Sequence, residues 1–304
     1  MQLFRSILSR RMLALILCAV LISVNAFTSV KVFAKVCTNQ PAFRCTANKQ
    51  AEADQAHNNN LAITAKAAVL IDNASGRILY AKNKDKKLIP ASITKIMTLL
   101  LIFESIEQGK CKLEDKVTVS EYAASMGGSQ VFLEPGETQD VNTMIKCISI
   151  ASANDAAVAM AEHLAGSEQS FVKRMNKKAK ALGMKHTHFK NCNGLDDSIE
   201  SGHYSSAYDV ALMSQSLVSK YPDISKYSTV WMDAITHITK KGKKKFGLTN
   251  TNKLIRTYQG ITGLKTGSTS KAKYCLSATA QRDGISLTAV IMAVTLLNLK
   301  FPKP

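Results

Sequence analysis

The chain has 304 residues, enough to bury a full core in one domain of about 240 residues once a leader is set aside. With 40 Lys and Arg against 22 Asp and Glu, its formal net charge is +18, which favours anionic surfaces as partners. Aromatic residues make up only 6% and the lysines are spread without a basic-aromatic recognition motif, so nucleic acid is not expected as a partner.

Arg5, Arg10 and Arg11 precede an apolar run over residues 12–24, and small-residue cleavage candidates end at Ala26 and Ala34. This layout predicts a secretory signal peptide over 1–34, cleaved after Ala34; the run is short for a membrane span. Its removal takes away four basic residues and no acidic ones, leaving +14. Six cysteines remain: Cys37, Cys45, Cys111, Cys147, Cys192 and Cys275. Export permits disulfides, and proximity makes Cys37 with Cys45 the cheapest pair, although many pairings stay open. No Cys-x-x-Cys pair exists, so neither a structural zinc site nor any cofactor is expected.

Residues 35–63 are polar and read as a flexible linker. Ordered structure begins with two apolar runs, 67–71 and 77–80, flanking Asn73-Ala74-Ser75-Gly76, which predicts a β-hairpin. Pro90 opens a helix that is apolar on nearly all sides until Gly109 stops it, the signature of a helix in the middle of a domain. Further helices are expected at 140–150, 154–165, 168–182 and 206–219, with Gly166 and Gly183 as stops. Lys240, Lys241, Lys243, Lys244 and Lys245 around Gly242 read as a solvated loop or hairpin tip. A last hairpin is expected from 274–280 and 285–293 around Asp283-Gly284. Strands at both ends with helices between them predict an α+β fold of three-layer α/β/α type, with one antiparallel sheet built from the N- and C-terminal strands and a helical insertion.

Three polar motifs lie along this framework in order: Ser92-Ile93-Thr94-Lys95, Ser152-Ala153-Asn154 and Lys265-Thr266-Gly267. Ser-x-x-Lys occurs four times, but only Ser92 and Lys95 sit at the start of a core helix, where a spacing of three puts both side chains on one face. Burial there would lower the lysine pKa, so that a neutral Lys95 could act as general base for a Ser92 nucleophile. The helix start also offers backbone N–H groups to an oxyanion. Ser152 offers a hydroxyl for proton shuttling and Asn154 a carboxamide for a substrate backbone; a simple helix cap is the competing reading of Ser152. Lys265 supplies a cation for a carboxylate, Thr266 a hydroxyl, Gly267 room for close approach, and Ser268 a second oxyanion N–H. No metal is assigned to this site.

These motifs, with 60 residues from Ser92 to Ser152 and 113 from there to Lys265, resemble the penicillin-binding and serine β-lactamase superfamily. Within it the chain is most similar to the serine-type D-alanyl-D-alanine carboxypeptidases, through the stretches 90–98, Ser152-Ala153-Asn154-Asp155-Ala156, Asn193-Gly194-Leu195-Asp196 and Lys265-Thr266-Gly267-Ser268. The resemblance implies a β-lactamase/transpeptidase-like domain over 64–304. It also implies attack by Ser92 on a peptidoglycan pentapeptide, release of terminal D-alanine, acylation by β-lactam antibiotics, and an extracytoplasmic place at the wall or membrane surface. Family members usually continue with an arginine-bearing turn and a C-terminal helix. The domain therefore reads as truncated at its C-terminus, with apolar side chains expected on one exposed sheet face and the substrate carboxylate left to Lys265 and Thr266. Two alternatives stand beside this reading. A class A-like β-lactamase would typically carry Ser-Asp-Asn where Ala153 stands, and an inactive wall-binding remnant would fit the abrupt end.

Overall fold

The computed structural model describes residues 63–197 and 201–295. The expected signal peptide, the linker up to its last residue, the Cys37–Cys45 pair and the segment after Thr295 lie outside them.

The chain enters through the hairpin β1 (Ala65–Asp72) and β2 (Ile78–Lys82), then makes a 3-10 turn, Ala91–Thr94, that runs into α1 (Lys95–Glu107). A small antiparallel pair follows, β3 (Lys116–Thr118) and β4 (Thr138–Asp140), with the single turn α2 (Glu121–Ala124) between them. Four helices come next: α3 (Val141–Ser149), α4 (Asn154–Ala165), α5 (Glu168–Ala181) and α6 (Ala207–Lys220). After the short α7 (Ser225–Ser228), the hairpin β5 (Met232–Thr239) and β6 (Gly242–Thr249) leads to β7 (Ile261–Thr269), β8 (Lys273–Arg282) and β9 (Ile285–Val294).

The main sheet is antiparallel in the order β2-β1-β9-β8-β7, so the first and last strands meet at its centre. Val69 pairs with Val290 in that junction. Strand alternation sorts the side chains: Ala67, Val69 and Ile71 enter the main core with Val290 and Met292, whereas Leu70 and Leu287 turn to the opposite face. There, Leu70 and Leu287 are buried, at 5% and 7% exposure, while Leu79, Tyr80, Ile285 and Ala289 around them stay half-buried apolar side chains on that face. Leu254 and Tyr258 cover Leu276 and Ala278 on the same side.

Ten of the thirteen residues of α1 are buried, because α3, α4, α5 and α6 all touch it. The surrounding helices start at side-chain caps. Asp140, Ser167 and Ser206 each accept a first-turn backbone N–H, from Thr143, Ser170 and Asp209 respectively. Gly166, at φ 76°, closes α4 in the left-handed conformation that glycine tolerates best. The Lys240–Lys245 cluster forms the turn and adjoining strand of the β5–β6 hairpin, and β3–β4 and α2 have no counterpart in the sequence reading. Three-residue strands carry too little periodicity to be seen.

Candidate active site

Ser92 and Lys95 sit where the 3-10 turn becomes α1, so Ser92 lies one tight turn ahead of the helix proper. In 3-10 geometry residues i and i+3 nearly eclipse, which brings the two side chains together. Lys95 is fully buried, and its Nζ donates to Ser92 Oγ at 2.9 Å, Asn154 Oδ1 at 2.6 Å and the Asn193 carbonyl at 2.7 Å. Burial holds the amine well below the ordinary lysine range, and the Lys265 charge pushes the same way; Cys192 and Asp155 oppose them.

The three partners have a chemical consequence. An ammonium has three N–H donors, but a neutral amine has two and a lone pair. The oxygens of Asn154 and Asn193 can only accept, so the lone pair of a neutral Lys95 can only be met by Ser92, whose hydroxyl also donates. Losing one proton from Lys95 therefore reverses one hydrogen bond. That reversal is the geometry of a general base on a hydroxyl nucleophile.

Asn154 opens α4 and uses both arms of its carboxamide inside the protein, one on Lys95 and the other donating to the Gly127 carbonyl at 2.7 Å. Ser152, two residues earlier, is buried at φ 61°, and its Oγ has no hydrogen-bond partner among the described residues. It does not cap α4, whose N-cap position is Ala153. A buried hydroxyl left unsatisfied in a left-handed backbone is costly, the kind of local strain that clusters at working sites. Ala91, immediately before Ser92, is also at positive φ, 49°.

Strand β7 runs alongside the 3-10 turn. A Cβ on Gly267 would stand 2.9 Å from the Pro90 carbonyl oxygen and 3.0 Å from the amide nitrogens of Ser92 and Ile93. Only glycine allows the strand this close. Lys265 is almost fully buried, which lowers its pKa to about 7, and its Nζ donates to the Thr266 carbonyl at 3.0 Å. Thr266 donates its hydroxyl to Thr251 Oγ1 at 2.6 Å, and Ser268 is exposed one residue beyond Gly267. The sheet and the helix start thus bring all three motifs to one place.

Two further segments hold them there. The Asp155 carboxylate, fully buried, accepts backbone N–H groups from Val131, Leu133 and Ala156, tying the 127–133 loop to the start of α4; burial raises its pKa although these donors work against the rise. The loop at 191–196 grips α1: Thr98 donates to the Cys192 carbonyl at 2.5 Å, and Gly194, at φ 84°, lies so close that a Cβ would fall 1.8 Å from the Ala91 carbonyl oxygen. Sequence reading assigned no role to Asp155 or to the Asn193 carbonyl. Asn193-Gly194 stood out only by resemblance, since a backbone carbonyl leaves no side-chain signal.

A family model described as D-alanyl-D-alanine carboxypeptidase matches residues 50–295. The chain belongs to the D-alanyl-D-alanine carboxypeptidase family. It is 53% identical over 245 residues to the D-alanyl-D-alanine carboxypeptidase DacF of Bacillus subtilis, covering 81% of this chain and 61% of that protein. To the D-alanyl-D-alanine carboxypeptidase DacA of Escherichia coli K12 it is 38% identical over 236 residues, 76% of this chain and 56% of the relative. The chain therefore spans about three fifths of the length of these curated relatives. Among solved structures it resembles penicillin binding protein 5 from Haemophilus influenzae, with a TM-score of 0.69, 35% identity, and coverage of 77% of this chain and 66% of that one. The Streptomyces K15 DD-transpeptidase is similar at a TM-score of 0.69 and 29% identity, over 77% of this chain and 91% of that one. The chain shares its fold with these two proteins, and its helices and antiparallel sheets make that fold α+β, as read from the element order.

Proposed function

We propose that this protein is a serine D-alanyl-D-alanine carboxypeptidase that trims the terminal D-alanine from peptidoglycan stem peptides. The observation that carries the reading is the reversible hydrogen bond between Lys95 and Ser92: three acceptors surround the amine and only one of them can return a proton. Neutral Lys95 takes the Ser92 proton as Oγ bonds to the carbonyl carbon of the penultimate D-alanine. The resulting oxyanion is met by the N–H groups of Ser92 and Ser268. Asn154 orients Lys95, and the second N–H of its carboxamide, beyond the one given to Gly127, meets the substrate backbone. Ser152, whose hydroxyl is otherwise unpartnered, relays the proton from Lys95 to the departing D-alanine nitrogen, so the amide C–N bond breaks with a neutral amine leaving. Water then adds to the acyl carbon as Lys95 takes its proton, and Lys95 passes that proton to Ser92 Oγ as the acyl–oxygen bond breaks, which restores a neutral Lys95 and a free Ser92 hydroxyl.

Lys265 and Thr266 hold the substrate's terminal carboxylate, with Gly267 leaving the channel open beside Ser92. β-Lactam antibiotics enter as cyclic amides at the same serine. The domain over 64–304 works outside the cytoplasmic membrane behind the 1–34 signal peptide. The basic surface, with the exposed Lys240–Lys245 hairpin at its tip, holds it near anionic wall polymers or lipid headgroups.

Incubation with a pentapeptide ending in D-alanyl-D-alanine tests the proposal. The wild-type chain is expected to release free D-alanine and Ser92→Ala to release none. Equal release by both, or none by a folded wild-type chain, would overturn it.

A further inference from the structure

The sequence offers no zinc spacing, yet the fold brings Cys111, Asp115 and His163 together at the far end of α4 from the active site. One ligand atom from each, a thiol sulfur, a carboxylate oxygen and an imidazole nitrogen, lies within 4.8 Å of the others. His163 follows Asn154 by nine residues on the same helix, which sets this cluster about 14 Å from the catalytic motifs along the helix axis.

The cluster is built before any ion arrives. Cys111 is buried in the connection between α1 and β3, just after Gly109 ends the helix. The turn that follows is fixed by hydrogen bonds. Asp115 Oδ2 accepts the Lys112 N–H at 2.7 Å, the Asp115 carbonyl accepts the Val141 N–H at 3.1 Å, and the Leu113 carbonyl accepts the Asn142 N–H at 3.0 Å. One carboxylate oxygen thus serves the turn and the other is left for a ligand. His163 stands exposed in the last turn of α4, and no hydrogen bond among the described residues ties its ring. A ring free to rotate on the solvent side can close onto the other two groups.

We propose that Cys111, Asp115 and His163 form a zinc site that clamps the α1–β3 connection to the C-terminal end of α4, with water as the fourth ligand. Thiolate and imidazole donors suit Zn²⁺ and disfavour Mg²⁺ or Ca²⁺, which prefer oxygen. Tetrahedral donors about 2.0–2.3 Å from zinc lie about 3.3–3.8 Å apart, so closure asks for about an ångström of side-chain movement. The charges also close. A divalent ion with one thiolate and one carboxylate is neutral overall, which suits a site flanked by Lys110, Lys112 and Lys116. On binding, the thiol proton passes to buffer and the sulfur–metal bond replaces it. The site is distant from Ser92, so its role is to fix two segments rather than to act on substrate.

Cobalt substitution and thermal unfolding of the full chain test this, with His163→Gln as the main variant because that residue is exposed and not needed for the core. Co²⁺ should give the wild-type protein a thiolate-to-metal charge-transfer band that Zn²⁺ abolishes. Zn²⁺ at a hundredfold excess over its Kd should raise the wild-type Tm. His163→Gln should keep the metal-free Tm while its zinc affinity falls at least about tenfold, and Asp115→Asn should weaken binding in the same direction. Absence of the charge-transfer band, or a band and a zinc-induced Tm shift unchanged in His163→Gln, would contradict the proposal.

Discussion

Lys95 and Lys265 are two buried lysines at one site, and the Lys265 charge adds to burial in lowering the pKa of Lys95, the proposed general base. Removing the second charge therefore has a signed consequence. In Lys265→Met the pKa of Lys95 rises, so the acid limb of the pH profile for acylation moves to higher pH; stopped-flow acylation by a chromogenic β-lactam across pH measures it. An unmoved limb would separate the two lysines. Lys95→Ala removes the base itself, and a loss of about 10²–10⁴-fold in acylation rate is expected, the usual range for general-base catalysis. At Asp155, replacement by Ala leaves three buried N–H groups with no acceptor. A loss of about 2–3 kcal/mol in urea unfolding is expected, and Asn, which keeps one acceptor oxygen, should lose less.

At the scale of elements, the geometry of the proposed active site depends on how closely β7 and the 191–196 loop approach the 3-10 turn. Gly267→Ala places a methyl group against Pro90 and the Ser92 amide, so β7 must shift by a few tenths of an ångström or more. Acylation should fall about 10²-fold, as expected for small misplacements of reacting groups, with little change in Tm. Gly194→Ala faces both a positive φ and a 1.8 Å clash with Ala91, and should lower the Tm as well as the rate. These approaches mark the boundary of what the sequence makes legible. The helices at 141–149, 154–165, 168–181 and 207–220 were readable because caps, glycine stops and apolar periodicity are local. Ser92 with Lys95 was readable because a spacing of three is local too. The Asn193 carbonyl on Lys95, the Asp155 clamp and the Cys111–Asp115–His163 cluster were not, since each joins segments separated by 22 to 98 residues through contacts that no spacing encodes.

Across the whole molecule, the sheet closes the chain on itself: β1 pairs with β9, so every segment that carries a motif is folded between two paired termini of the domain. The same architecture buries Lys265, and that burial makes stability depend on pH. Its native pKa, about 7, lies below the ordinary lysine value. Between those values the unfolded chain holds a proton that the native state does not, so stability rises with pH through this window; below about 7 both states are protonated and the burial penalty is fully present. Urea midpoints at pH 7 and about pH 9.5 should therefore rise more for the wild type than for Lys265→Met, where this contribution is gone. The most direct test of the account is mass spectrometry after exposure to benzylpenicillin. One covalent adduct is expected, mapped to Ser92 and absent from Ser92→Ala. A folded wild-type protein with no adduct, or with one at another residue, would contradict it.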